Sequence, residues 1–195
     1  MSKSKKNIVD PDDIIKLYGA DTARWFVLSD SPPDRDIFWT EAGIESSNKF
    51  INKIWRIILE YKEIVEQKDI KDTSEQKQFE KIIHNSIKDI TSNLEKMSFN
   101  KAIANIYSLI GELSKSDTKE KINSETSSKV LRYLIIILSP FIPHLAEESW
   151  ANVGFDGLAC KQSWPEFDEG LTDNEKANIV VQINGKKRGE LSLPK

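Results

Sequence analysis

Ser2, Lys3 and Ser4 form the segment of this chain best equipped for chemistry. An ammonium flanked by two hydroxyls and several backbone N–H groups can meet one small anion from many sides, and a triphosphate is the natural target. A lysine that meets negative charge mainly as it develops on a departing pyrophosphate raises a rate rather than merely tightening binding. Lys3 is therefore the candidate catalytic and nucleotide-contacting residue, with Ser2 and Ser4 shaping the loop around it. Two further basic sets could hold an extended polyanion. Lys49, Lys53 and Arg56 recur on one side of a helical wheel, although Glu45 and Glu60 share that side. Lys186, Lys187 and Arg188 follow the turn signal Asn184-Gly185, and a turn tip projects its residues outward.

Other reactive side chains read as structural. His144 lies close to Glu147 and Glu148, yet a capping or core-edge role explains it, and His84 has no partner at a catalytic spacing. Cys160 has no histidine near it in sequence and reads as a small residue in a loop. One cysteine excludes an internal disulfide framework and a cysteine-rich zinc site, and no metal site is expected.

The elements that must position these residues are mostly helical. Asp10 is a suitable N-cap, Pro11 suits the first helical position, Asp13 favours a helix start, and Gly19 ends a short helix carrying Ile14, Ile15 and Leu17. A second start signal at Asp21-Thr22 leads into Trp25-Phe26-Val27-Leu28, which Ser31-Pro32-Pro33 terminates. Phe50, Ile51, Ile54, Ile57, Ile58, Tyr61 and Val65 predict a helix over about 41–67. The next, about 74–97, carries Phe79, Ile82, Ile83, Ile87, Ile90, Leu94 and Met97 on its seam. Another, starting near Ser98 or Phe99, presents Ala102, Ile103, Ile106, Tyr107, Ile110 and Leu113. A fourth over 124–138 ends in Leu134-Ile-Ile-Ile-Leu138 and reads as buried all round. The charged segments 68–75 and 114–121 read as exposed loops, and Pro140 and Pro143 end one helix and start another. Four helices in series predict an antiparallel bundle. At the end, Ile179, Val181 and Ile183 alternate before Asn184-Gly185, and Leu191 and Leu193 alternate after it, so a β-hairpin is expected.

Composition sets the class. With 38% hydrophobic and 30% charged residues among 195, the chain can hold one large domain or one domain plus a small appendage, and it offers no apolar run long enough to span a bilayer. A cytoplasmic location is expected. Net charge is −3, so RNA contact requires local basic patches rather than a generally basic surface.

The run Met1-Ser-Lys-Ser-Lys-Lys6 resembles the Lys-Met-Ser-Lys-Ser signature loop of class I aminoacyl-tRNA synthetases, and the chain is expected to be a fragment that begins one residue inside it. Ile8-Val-Asp-Pro-Asp-Asp-Ile-Ile-Lys-Leu-Tyr-Gly-Ala-Asp-Thr-Ala-Arg24 is similar to the segment C-terminal to that loop in the leucine, isoleucine and valine enzymes. Ser31-Pro-Pro-Asp-Arg-Asp-Ile-Phe-Trp39 narrows the resemblance to the leucyl family. Ser139-Pro-Phe-Ile-Pro-His-Leu-Ala-Glu-Glu-Ser-Trp150 and Ser163-Trp-Pro-Glu-Phe167 are similar to the end of the anticodon-binding bundle. Val181-Gln-Ile-Asn-Gly-Lys-Lys-Arg-Gly-Glu190 resembles the opening of the small domain that leucyl enzymes append.

The resemblance implies three parts: the signature loop and short-helix connector over 1–40, the anticodon-binding helical bundle over 41–170, and the start of a truncated C-terminal domain, the hairpin, over 171–195. It implies ATP-dependent ligation of leucine to tRNA(Leu) in the whole enzyme, with Mg2+ on the phosphates and Lys3 stabilising the pyrophosphate. It also implies that the fragment, lacking the nucleotide-binding fold, amino-acid pocket and editing domain, binds tRNA but is inactive alone; the basic sets read from the sequence, Lys49, Lys53 and Arg56 and then Lys186, Lys187 and Arg188, are the candidate contacts. No cofactor is expected on the fragment, and no obligate protein partner. An isoleucyl or valyl fragment, a free-standing tRNA-binding module and a purely structural helical domain are the alternatives.

Overall fold

The structure, a computed structural model, describes residues 9–67, 73–172, 176–183 and 186–194. Ser2, Lys3, Ser4 and the Asn184-Gly185 turn lie outside the described residues, as does most of the expected 68–75 loop. The chain is mainly helical. In order come α1 (Pro11–Tyr18), α2 (Ala20–Asp30), α3 (Glu41–Gln67), α4 (Thr73–Glu95), α5 (Phe99–Leu113), α6 (Ser116–Lys121), α7 (Ser124–Leu138) and α8 (Pro143–Val153). A 3-10 turn at Ala159–Lys161 and α9 (Glu169–Thr172) come next, then strands β1 (Lys176–Ile183) and β2 (Lys186–Pro194).

Local chemistry explains the start of this series. The Asp10 carboxylate accepts the Asp12 N–H at 3.0 Å, and Pro11 occupies the first turn of α1. Gly19 then serves α1 and α2 together, as the C-cap of one and the N-cap of the other. Its φ of 84° and ψ of 156° are open to glycine without strain and closed to side chains with a Cβ.

Packing follows the apolar seams. α4 lies on α5, α3 on α7, α7 on α8, and α2 on both α3 and α5. Ile54, Ile58 and Tyr61 of α3 meet Ile87 and Ile90 of α4 and Ile106 and Ile110 of α5 in one core. Residues 134–138 of α7 are buried without exception, which is why no polar face interrupts that run. Trp25 of α2 is fully buried, with the rings of Phe50, Tyr107 and Phe141 at 5.4, 5.8 and 6.2 Å. Its indole N–H donates to the Tyr107 hydroxyl at 3.1 Å, so even this core tryptophan is satisfied.

Several expectations need correction. Met97 is not on the α4 seam: it is 61% exposed and has φ 54°. It sits where α4 ends in a left-handed turn, closed by Met97 N–H to Leu94 C=O and Ser98 N–H to Asn93 C=O. Glycine usually fills such a position, and methionine there concealed the stop. The segment 114–121 is not a plain loop, because α6 occupies it. Only Thr118 and, just beyond α6, Ile122 turn inward, and two buried positions leave no visible period. Tyr107, expected on the α5 seam, is 39% exposed at its edge. Ile15, Leu17 and Val27 are likewise exposed, and α1 buries no residue at all.

β1 and β2 pair antiparallel, with Ile179 opposite Leu191 and Ile183 opposite Lys186. Val181 faces Gly189 and Gln182 faces Lys187, so Arg188 is the extra residue of a β-bulge.

Candidate nucleic-acid interface

The three members of the α3 stripe sit differently. Lys49 is exposed, Lys53 is half-buried, and among the described residues neither has an ion-pair partner. Arg56 is 69% exposed and makes a long contact to Glu60 at 3.9 Å. That carboxylate is held more closely by Lys119 of α6, at 2.6 Å. An exposed, water-screened pair at 3.9 Å leaves the Arg56 guanidinium available to an incoming anion. Glu60 also acts inward: burial, and then the charge of Glu60, push the Tyr61 phenol above its ordinary value. Its hydroxyl therefore stays protonated and donates to the Leu113 carbonyl at 3.2 Å, fixing α3 on the end of α5. Lys186, Lys187 and Arg188 open β2, and the bulge at Arg188 interrupts their pairing there. Lys3, with Ser2 and Ser4, lies outside the described residues.

The connector over 9–40 is tied to the bundle by side chains that sequence reasoning had not placed in this role. α8 begins after Ile142, which has no side chain able to cap it, and no side-chain cap comes from its own position. Asp21 of α2 supplies one from across the fold. Its Oδ2 accepts the Leu145 N–H at 2.7 Å and its Oδ1 the His144 N–H at 3.4 Å, the donors that a side-chain N-cap would satisfy. His144 Nδ1 lies 2.9 Å from the same Oδ1, with its ring largely exposed. One turn along α2, Arg24 donates from Nε to Phe141 C=O at 3.1 Å and from Nη2 to Pro140 C=O at 2.9 Å. A carboxylate on the N–H groups and a guanidinium on the carbonyls thus hold the α7–α8 corner. Asp21 marks the start of α2, as expected, but its side chain works on another helix. The signal that could have found it was the missing cap at Ile142.

The remaining candidates are structural. His84 Nδ1 accepts the Asp168 N–H at 3.1 Å, and Trp164 donates to Thr91 at 2.8 Å, so the segment after the 3-10 turn folds back on α4. Glu147 accepts the Ala159 and Cys160 N–H groups at 2.9 and 2.8 Å. Desolvation raises its carboxyl, but the N–H bonds from Cys160 and Ala159 together with a bond from the Cys160 side chain outweigh it and hold the group below the ordinary value. A hydrogen bond to Glu147, then desolvation and the carboxylate's charge, push the Cys160 thiol up, away from nucleophilic character. An open groove of about 490 Å³ beside α1 is lined by Asp10, Asp13, Leu17, Tyr18, Trp39 and Glu41, among others. Three carboxylates make it a poor seat for a phosphate. No helix among the described residues is long and apolar enough to cross a membrane.

Comparison with known proteins places this geometry. Residues 76–195 match the family described as the anticodon-binding domain of tRNA ligase. Residues 1–40 match class I tRNA synthetases for isoleucine, leucine, methionine and valine. The chain is 45% identical to a leucine–tRNA ligase of Agrobacterium fabrum, an alignment covering 99% of this chain and 23% of that protein. Identity to the leucine–tRNA ligase of Cereibacter sphaeroides is 41%, covering 100% and 22%. The chain thus spans less than a quarter of the length of these relatives. It also resembles the Agrobacterium radiobacter K84 LeuRS solved in a ternary complex with tRNA and LeuAMS, at TM-score 0.82 and 27% identity, over 100% of this chain and 25% of that one.

Proposed function

This chain belongs to the family of anticodon-binding domains of tRNA ligases, and from that membership we propose that it is the portion of a leucine–tRNA ligase running from the signature loop through the tRNA-holding bundle. The whole protein, in this reading, ligates leucine to tRNA(Leu) at the expense of ATP in the cytoplasm, while the chain alone binds without catalysing. The observation that carries the reading is the end-to-end similarity to leucine–tRNA ligases at 41–45% identity.

The division into parts rests on the same reading. Residues 1–40 connect to the catalytic side, 41–170 form the bundle, and 171–195 open a further C-terminal domain with the β1–β2 pair. Leu17 at 74% exposure, Ile15 at 46% and Phe38 at 78% give the connector an apolar surface suited to burial against the rest of a much longer ligase. Lys3, with Ser2 and Ser4, would contact the triphosphate, its ammonium offsetting charge on the departing pyrophosphate. Magnesium would assist the ATP phosphates in the whole ligase.

tRNA would be held through its backbone and shape, which requires local basic surface rather than a basic protein. Lys49, Lys53 and Arg56 would provide it on α3, and Lys186, Lys187 and Arg188, at the start of β2, are the second candidate set. Replacing Lys49, Lys53 and Arg56 together by alanine is expected to flatten the salt dependence of tRNA binding by about two to three units of logarithmic slope. Binding titrations across salt concentrations measure it, and an unchanged slope would remove the stripe from the interface.

A further inference from the structure

Charge on the bundle is segregated more sharply than the α3 stripe alone shows. Residues 46–59 of α3, and residues 96–111 covering the α4–α5 turn and most of α5, contain no aspartate or glutamate. The chain has 31 acidic residues in 195, so segments of that combined length would ordinarily hold about five. They hold instead Lys49, Lys53, Arg56, Lys96 and Lys101.

Packing sets the two segments side by side. Phe50 of α3 and Tyr107 of α5 are in ring contact, with centroids 3.8 Å apart. Lys49 and Lys53 lie about 60° to 100° round the α3 wheel from Phe50, away from the core. On α5, Lys101, Ala104, Ser108 and Gly111 are exposed and share the outward arc beside the half-exposed Tyr107. The result is a trough floored by Phe50 and Tyr107, with lysines on the α3 wall and an acid-free α5 wall. Two of the carboxylates bordering it are already occupied. Glu60 is held by Lys119 at 2.6 Å and Glu112 by Lys115 at 2.6 Å, so their repulsion of an anion is largely cancelled.

We propose that this α3–α5 trough seats the sugar–phosphate backbone of an RNA stem, with α5 as its second wall and Lys101 as a phosphate contact. The proposal rests on the function proposed above and deepens it by naming the face. On α3 and α5 its exposed groups are basic side chains, Ala104, Ser108 and the edge of Tyr107, and the one large apolar side chain exposed nearby, Met97, sits off the α5 wall at the α4–α5 turn, so charge rather than apolar area dominates the face. An acid-free wall matters because one carboxylate at the centre would face a phosphate directly.

The test uses the 195-residue chain and a fluorescently labelled tRNA(Leu) transcript, read by anisotropy. Ala104→Glu with Ser108→Glu is expected to weaken binding at low salt by about tenfold or more, and Lys101→Ala to flatten the salt slope by about one unit. Ala151→Glu, also exposed but on α8, is expected to change affinity less than about twofold. Circular dichroism confirms that each variant stays helical, and Lys101→Ala decides the matter should the double variant unfold. If the α3 triple variant loses binding while the α5 variants bind as the unaltered chain does, the trough is wrong and the α3 stripe stands. If Ala151→Glu weakens binding as much as the double variant, or polyglutamate competes as well as RNA, a seat specific for RNA is overturned. If neither wall matters, both proposals fall.

Discussion

Asp21→Ala is expected to destabilise the fold by about 2 kcal/mol, because it strips two part-buried backbone donors at the start of α8 of their acceptor. Asp21 is 8% exposed, so water cannot fully replace the lost carboxylate. The first turn of α8 also loses a negative charge that its N-terminus favours. Asp21→Asn should cost less, about 1 kcal/mol, since one side-chain oxygen can still accept from Leu145. His144→Ala should cost little, because that ring is largely exposed and the cap bonds come from backbone. Urea unfolding followed by circular dichroism gives the order. A loss under about 0.5 kcal/mol for Asp21→Ala would show that the corner is held without it.

The second large effect belongs to catalysis in the whole ligase. Under the proposed function, Lys3→Ala lowers leucine-dependent ATP–pyrophosphate exchange by about 10²- to 10³-fold in kcat, with the KM for leucine little changed. A group that meets charge chiefly in the transition state should act on kcat, whereas one that merely tethers ATP should act on KM. tRNA affinity should be unaffected. Exchange at the unaltered rate in that variant would remove Lys3 from the mechanism.

Much of this architecture was legible because apolar seams three and four residues apart dictate where a helix must face the core. α3 over 41–67 and α7 over 124–138 carry long seams and were readable in full. α6 was not, because a six-residue helix with one buried residue leaves no period in the sequence. The end of α4 was hidden by a methionine in a backbone conformation that glycine normally signals. Candidate residues divided the same way. Basic residues on one exposed face are visible in a helical wheel, but Asp21 and Arg24 act on residues more than 110 positions away, a relation no local pattern contains. The acid-free wall of α5 became meaningful only once Tyr107 was seen against Phe50.

Binding of the unaltered chain to a tRNA(Leu) transcript, measured from about 50 to 200 mM salt, tests the central claim most directly. The account predicts saturable one-to-one binding whose logarithmic affinity falls linearly with the logarithm of salt concentration, with a slope set by several phosphate contacts. No binding at about 50 mM salt by the folded chain would contradict it and leave a helical domain with a purely structural role.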